Sequence, residues 1–217
     1  MHFLDAWNRL PPSVLTRVLA APACVGLSIL LPGRRAAALA SVGLAIVAGV
    51  STGLNPWSSR LAWAIVWLAC ALVIARGVGD PPPDSSARRG GVESGAVGLL
   101  LGIAMLLLLI AAVARQDLPD EPSRDASYGL LMIGLGLVHL MLRRHVLRAA
   151  IAFGSMGMGL DRLTRSAASQ QLSLDTIPPL AVPFATAIAI ALVTRIARSR
   201  LGSGGGAWVS GAHDLHD

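Results

Sequence analysis

The stretch from Tyr128 to Arg165 reads YGLLMIGLGLVHLMLRRHVLRAAIAFGSMGMGLDRLTR, and it decides the fold. Two apolar runs flank a hinge with four potential cations, Arg143, Arg144, His145 and Arg148. Apolar runs of helical length that meet at a basic hinge are typical of a helical hairpin that reverses at a membrane surface. The stretch therefore predicts two transmembrane helices joined by a basic turn.

The rest of the chain is equally apolar. Its 217 residues are 54% hydrophobic and 14% charged, with a mean hydropathy of +0.64, which is too apolar for a fold covered by its own polar surface in water. All 18 basic residues are Arg, and they lie singly or in pairs at the ends of apolar runs. We attribute the pI near 11.1 to the positive-inside rule. Nucleic acid is not expected as a partner, because the arginines form no single stripe with aromatic residues.

Seven apolar runs predict an all-α, polytopic transmembrane bundle in the cell inner membrane, with the lipid bilayer as its surroundings. The runs cover residues 13–31, 36–50, 61–74, 95–113, 126–142, 146–160 and 180–196. The sixth run has only about 15 residues, short for a bilayer core of about 30 Å, so we expect it to lie inside protein. A bundle of six spans, without the first or the sixth run, is the alternative.

The distribution of Arg predicts how the chain is threaded. If the amino terminus is outside and there are seven spans, the inner segments hold eleven of the 18 Arg residues. The acid-rich segment 116–125 then falls outside. Both signals predict an outside amino terminus and an inside carboxyl terminus.

Composition also divides the chain into five parts. Residues 76–94 are rich in Pro, Gly, Ser and Arg, which predicts a solvated cytoplasmic linker. The parts are an amino-terminal three-span part (1–75), this linker, a fourth span (95–115), a three-helix part (126–198) and a disordered tail (199–217).

Buried acids are the usual mark of a subunit that moves protons or cations. Here we expect none in the middle of an apolar run, and we expect Asp161 at a helix end. His139 lies within the fifth run, one helical turn from Arg143. It is interpreted either as a relay group or the partner of a carboxylate on a neighbouring subunit, or as a hydrogen-bond donor in helix packing, and the packing role is favoured.

The basic turn and several glycines are further candidates. Arg143, Arg144 and Arg148 act either as topology determinants that touch lipid phosphates or as a docking contact for an acidic partner. Small residues let helices approach closely. We therefore assign helix packing to four glycines, Gly98, Gly102, Gly154 and Gly157.

The residue pattern predicts no catalytic centre, metal site or cofactor. Cys24 and Cys70 lie within apolar runs without Cys or His at ligand spacing, so packed thiols are expected. No nucleophile has a base near it in sequence, and no catalytic activity of the chain's own is expected.

The span–hinge–span pattern in LMLRRHVLRAAIAFGSMGMGLDRLTR, followed by TIPPLAVPFATAIAIALVTRIAR, resembles known membrane subunits. It is similar to the K-type subunit of respiratory complex I and the C-type subunit of multisubunit cation/proton antiporters. With the extra amino-terminal helices, the chain resembles membrane component E of hydrogenase-4 and formate hydrogenlyase-type complexes. The resemblance is best over residues 127–198.

This resemblance implies an accessory membrane subunit of a complex I-related or hydrogenase-related redox or ion-translocating assembly, with other membrane subunits as partners. The family commonly has a Glu in the helix after the basic turn, where this chain has Gly154 or Gly157. A scaffold for an antiporter-like subunit is therefore expected. The alternative is a stand-alone small membrane transporter or a lipid-interacting protein.

Overall fold

The computed structural model of the protein describes residues 12–30, 34–50, 56–76, 104, 120–142, 146–168 and 178–202. These residues form six α-helices, and the described part of the chain contains no strand. The helices are α1 (Pro12–Leu30), α2 (Arg34–Val50), α3 (Trp57–Arg76), α4 (Asp120–Leu142), α5 (Val146–Ala168) and α6 (Ala181–Gly202). The predicted all-α class is confirmed for these ranges.

Proline residues mark the start of several helices. Pro12 is the first residue of α1. The carbonyl of Pro56 accepts hydrogen bonds from the backbone N–H groups of Ser59 and Arg60 at 3.0 and 3.2 Å, at the start of α3. The carbonyl of Pro178 accepts from Ala181 at 2.9 Å. Proline suits a first turn, because the N–H that it lacks has no intrahelical partner there.

Helix α5 is longer than its apolar run predicts. It continues past residue 160 to Ala168 and has 23 residues, or about 34 Å at 1.5 Å per residue. The expectation of a helix of about 15 residues is wrong, and so is the expectation that Asp161 lies at its end. The polar residues after 160 continue the helix, supported by the Asp161–Arg165 ion pair one turn apart.

Helix α5 is also central, since it packs against α3, α4 and α6. Trp67 of α3 lies against Gly154, whereas Trp63, one turn earlier, reaches Asp161. Residues with higher numbers in α5 therefore contact residues with lower numbers in α3, so the two helices are antiparallel.

Helices α1, α2 and α3 pack one on the next. Ser41 contacts Cys70 and Gly49 lies against Ala64, so α2 and α3 are also antiparallel. These three helices meet the other three through contacts of α1 with α4 and of α3 with α5 and α6.

The directions of the helices place the helix ends in two groups. One group, which we call the Arg-rich end, contains the carboxyl ends of α1, α3, α4 and α6 and the amino ends of α2 and α5. Its described charged residues are Arg34, Arg35, Arg76, Arg148, Arg195, Arg198 and Arg200. The opposite group is the Asp161 end. Its described charged residues are Arg17, Arg60, Asp120, Glu121, Arg124, Asp125, Asp161, Arg162 and Arg165.

Two of the described helices are long and apolar enough, by length and composition, to cross a membrane. They are α3, with 20 residues and a mean hydropathy of 1.8, and Ala181–Ser199 of α6, with 19 residues and 1.5. Only 39% and 28% of their most apolar windows are buried inside the bundle. A shorter apolar segment, Leu19–Leu30, lies in α1. Large apolar side chains therefore cover much of the outer surface of α3 and α6.

Several sequence predictions fall outside the described residues. They concern nearly all of the linker 76–94 and of the fourth span 95–115, and most of the tail 199–217. Gly98, Gly102, Arg143 and Arg144 also lie outside.

Candidate functional site

A buried ion pair joins α3 to α5 at the Asp161 end. Asp161 is 3% exposed, and its carboxylate accepts hydrogen bonds from Arg165 at 2.8 Å on both oxygens. The indole Nε1 of Trp63 donates to the same carboxylate at 2.9 Å. Arg165 also donates to the hydroxyl of Ser59 at 2.6 Å. We call these four residues the Asp161 cluster.

The Asp161 cluster satisfies a charge that is costly to bury. A carboxylate removed from water loses several kcal/mol of hydration unless a cation and hydrogen-bond donors replace it. Arg165 supplies the opposite charge from the next turn of the same helix, and Trp63 supplies a donor from α3. The cluster is therefore neutral as a whole and ties the two helices together.

Asp161 directly follows an apolar run, but it is buried inside α5 and does not lie at the helix end that the sequence predicts. Trp63 is 1% exposed and donates a hydrogen bond to this acid. The spacing of four between Asp161 and Arg165 is the signal in the sequence that indicates an ion pair on one helix face. Trp63 gives no such signal, because it is 98 residues away.

A second charged group links α5 to α4 beside the first. Arg162 lies 3.6 Å from the Asp125 carboxylate, and its guanidinium lies over the Tyr128 ring at 5.4 Å from the centroid. Both partners belong to the first three turns of α4. Two adjacent residues of α5 therefore bind different helices. Asp161 binds α3, and Arg162 binds α4.

His139 is buried near the Arg-rich end of the bundle. It is fully buried, and its Nδ1 lies 3.3 Å from the Ser28 hydroxyl oxygen. That hydroxyl donates to the Val25 carbonyl at 2.7 Å. Since a hydroxyl has one proton, this arrangement assigns a proton to Nδ1 of His139, which then donates to Ser28. The imidazole thus links α4 to α1.

Arg148 reaches the same place from α5. Its guanidinium donates to the backbone carbonyl of Ser28 at 3.4 Å, in the last turn of α1, where a cation complements the helix dipole. The structure therefore brings His139 and Arg148 together at Ser28. Both residues lie toward the Arg-rich end of the bundle, whereas the Asp161 cluster lies at the opposite end.

Gly154 and Gly157 lie at contacts of α5 with two different helices. A Cβ on Gly154 would lie 2.7 Å from the Trp67 ring, and a Cβ on Gly157 would overlap the Thr186 side chain. Gly129 and Gly159 face each other between α4 and α5 in the same way. Small residues thus set the spacing of α5 from each of its neighbours.

Among the described residues, no group of three or more His, Cys, Asp or Glu side chains is placed to hold a metal ion. Cys24 and Cys70 are both free thiols, and Cys70 is buried beside Ser41. An open apolar groove of about 510 Å³ lies between α4, α5 and α6. Its lining includes Ile133 and Phe153.

No family model, curated protein or solved structure matches this chain.

The hydrogen bond from Trp63 to Asp161 can be tested with a matched pair of substitutions. We expect Trp63→Phe to lower the free energy of unfolding by about 1 kcal/mol more than Trp67→Phe does. Both changes replace a buried indole by a smaller ring, but Nε1 of Trp67 has no hydrogen-bond partner among the described residues. The measurement is denaturant unfolding in nonionic detergent, followed by circular dichroism. Equal losses would show that the Trp63 bond contributes nothing to stability.

Proposed function

We propose that this chain is an accessory integral membrane subunit of a complex I-related or hydrogenase-related redox or ion-translocating assembly. Its role is to scaffold an antiporter-like subunit in the cell inner membrane. It crosses the membrane about seven times, with the amino terminus outside and the carboxyl terminus inside.

The directions of the helices support the seven spans. Helix α3 ends at the Arg-rich end, and α4 begins at the Asp161 end, so residues 77–119 connect opposite ends of the bundle. Those residues include the apolar run 95–113. In our proposal this run crosses the membrane once, and each of the six helices crosses it once, which makes seven spans.

The charges support the orientation. All four acids in the described helices lie at the Asp161 end, whereas the Arg-rich end holds seven arginines and no described acid. The positive-inside rule assigns the end with excess Arg to the cytoplasm. The carboxyl end of α6 is then inside.

The observation that carries the scaffold role is the close packing at Gly154 and Gly157. In the family that the chain resembles, a Glu at one of these positions belongs to a row of polar residues that crosses the membrane part of the complex. The Trp67 ring and the Thr186 side chain occupy the space that such a side chain needs. In this chain the same positions fix the spacing of α5 from α3 and α6.

The pairing of the buried charge supports the same role. Asp161, the one acid that is buried among the described residues, is held by Arg165 and Trp63. A carboxylate that is bonded to partners on two helices suits a structural link between those helices better than proton carriage. The charge transfer of the assembly is then a task of its other subunits.

The docking role of the basic turn can be tested by affinity purification in mild detergent. We expect Arg143→Ala with Arg144→Ala to lower the recovery of a large membrane partner severalfold, because both changes remove a cation from the turn. Insertion of the chain itself should be unchanged. Mass spectrometry of the co-purified proteins identifies the partner and measures its recovery.

The control removes two arginines from the other end of the bundle, Arg17→Ala with Arg124→Ala. It should leave the recovery of the partner unchanged. Equal recovery with both double variants would count against docking through the turn. A purified chain that collapses a pH gradient in liposomes by itself would overturn the scaffold role.

A further inference from the structure

The two ends of the bundle differ in how their charges are balanced. At the Asp161 end, Arg162 and Arg165 pair with Asp125 and Asp161. At the Arg-rich end, Arg35, Arg76 and Arg198 are exposed, and none of them forms an ion pair within the described residues. Exposed guanidinium groups without an acidic neighbour at one end of the bundle favour an anionic partner.

These three arginines belong to three helices, of which α3 contacts both α2 and α6. Ser41 of α2 lies 3.9 Å from Cys70 of α3. Arg35 lies six residues before Ser41, and Arg76 lies six residues after Cys70. Because the two helices are antiparallel, both arginines lie about 9 Å beyond that contact, in the same direction.

Helix α6 joins this group through its last turns. Ala197 of α6 is buried against Val73 of α3. Arg198 directly follows Ala197, and Arg76 lies three residues beyond Val73. Arg76 and Arg198 therefore lie at similar heights, at the adjacent carboxyl ends of α3 and α6.

Exposed apolar side chains lie on the same helices, toward the middle of the bundle from these arginines. They are Leu39 of α2, Leu72 of α3, and Leu192 and Ile196 of α6. A surface with cations at one level and exposed apolar groups below it matches a phospholipid, whose phosphate and acyl chains have the same order. An acidic protein would match only the cations.

We propose that the ends of α2, α3 and α6 form a binding site for an anionic phospholipid, with Arg35, Arg76 and Arg198 as its headgroup contacts. Guanidinium groups donate paired hydrogen bonds to phosphate oxygens, and each basic residue near an anionic headgroup contributes about a fivefold gain in affinity. The inference rests on the proposed membrane location, and it is independent of the proposed scaffold role.

The test uses the full chain purified in nonionic detergent. Adding phosphatidylglycerol should raise the unfolding temperature, because a ligand that binds only the folded protein stabilises it. Phosphatidylcholine with the same acyl chains should raise it much less, and added salt should weaken the effect of phosphatidylglycerol. For Arg76→Gln with Arg198→Gln, we expect the concentration of phosphatidylglycerol that gives half of the effect to rise about 25-fold.

The matched control is Arg17→Gln with Arg124→Gln, which removes two charges from the Asp161 end. It should respond to phosphatidylglycerol as the unchanged chain does. An equal response to both lipids, an equal loss in the control, or the same stabilisation by inorganic phosphate alone would overturn the lipid site. Each of these results leaves the co-purification of a membrane partner untouched, whereas recovery of the chain from the soluble fraction would overturn the membrane location itself.

Discussion

Replacing Asp161 by Asn is expected to lower the free energy of unfolding by about 3 kcal/mol or more, because Arg165 then stays partly buried without its opposite charge. Asn has nearly the same shape as Asp, so the change removes charge and creates little empty space. Its side-chain oxygen can still accept the hydrogen bond that Trp63 donates. The loss therefore measures the ion pair and not the packing. Thermal and denaturant unfolding in nonionic detergent provide the measurement.

The control removes both charges at once. Asp161→Leu with Arg165→Met replaces the pair by apolar residues, which is often neutral or stabilising in proteins. We expect this double variant to be more stable than Asp161→Asn, although Trp63 and Ser59 lose a partner in it. A double variant that is as unstable as the single one would show that the two charges do not act as a pair.

Replacing Gly159 by Ala is expected to cost about 2 kcal/mol. The added Cβ would overlap the backbone carbonyl of Gly129 and would lie 2.8 Å from the Ile133 side chain. A carbonyl within a helix cannot move away as the end of a flexible side chain can, so α4 and α5 have to separate. Overpacking of this kind typically costs about 1 to 3 kcal/mol.

Gly26 provides the matched control within α1. A Cβ at this position would meet nothing within 4 Å. Because Ala is the better helix former by about 1 kcal/mol, Gly26→Ala should stabilise the chain slightly or leave it unchanged. Of the two Gly→Ala changes, only the one at Gly159 should therefore lower the unfolding temperature. If both stabilise the chain, the close approach of α4 and α5 at Gly159 does not hold.

The helices themselves could be predicted from the sequence for clear physical reasons. Apolar runs of helical length set their positions, and Pro12 and Pro56 mark the starts of two of them. The end of α5 could not be predicted from apolarity, because the helix continues through Asp161 and Arg165 after the apolar run ends. A polar segment can thus extend a helix when its charges pair with one another.

The polar contacts in the core could be predicted only in part. His139 stands out in the sequence as a polar residue within an apolar run, but its contact Ser28 is 111 residues away. Trp63 and Asp161 are similarly remote from each other. Contacts of this kind depend on which helices become neighbours, and no local pattern of residues contains that information. The glycines of α5 indicate close packing, but they do not indicate which side chain will fill the space.

The placement of Arg165 on the same helix as Asp161 has a consequence for biosynthesis. During translation, Trp63 and Ser59 emerge about a hundred residues before their partners, so α3 is made while these polar groups are still unmatched. Helix α5, in contrast, brings its own counter-ion one turn away and needs no neighbour to neutralise its carboxylate. The late helix can therefore pack against α3 with this carboxylate already neutralised.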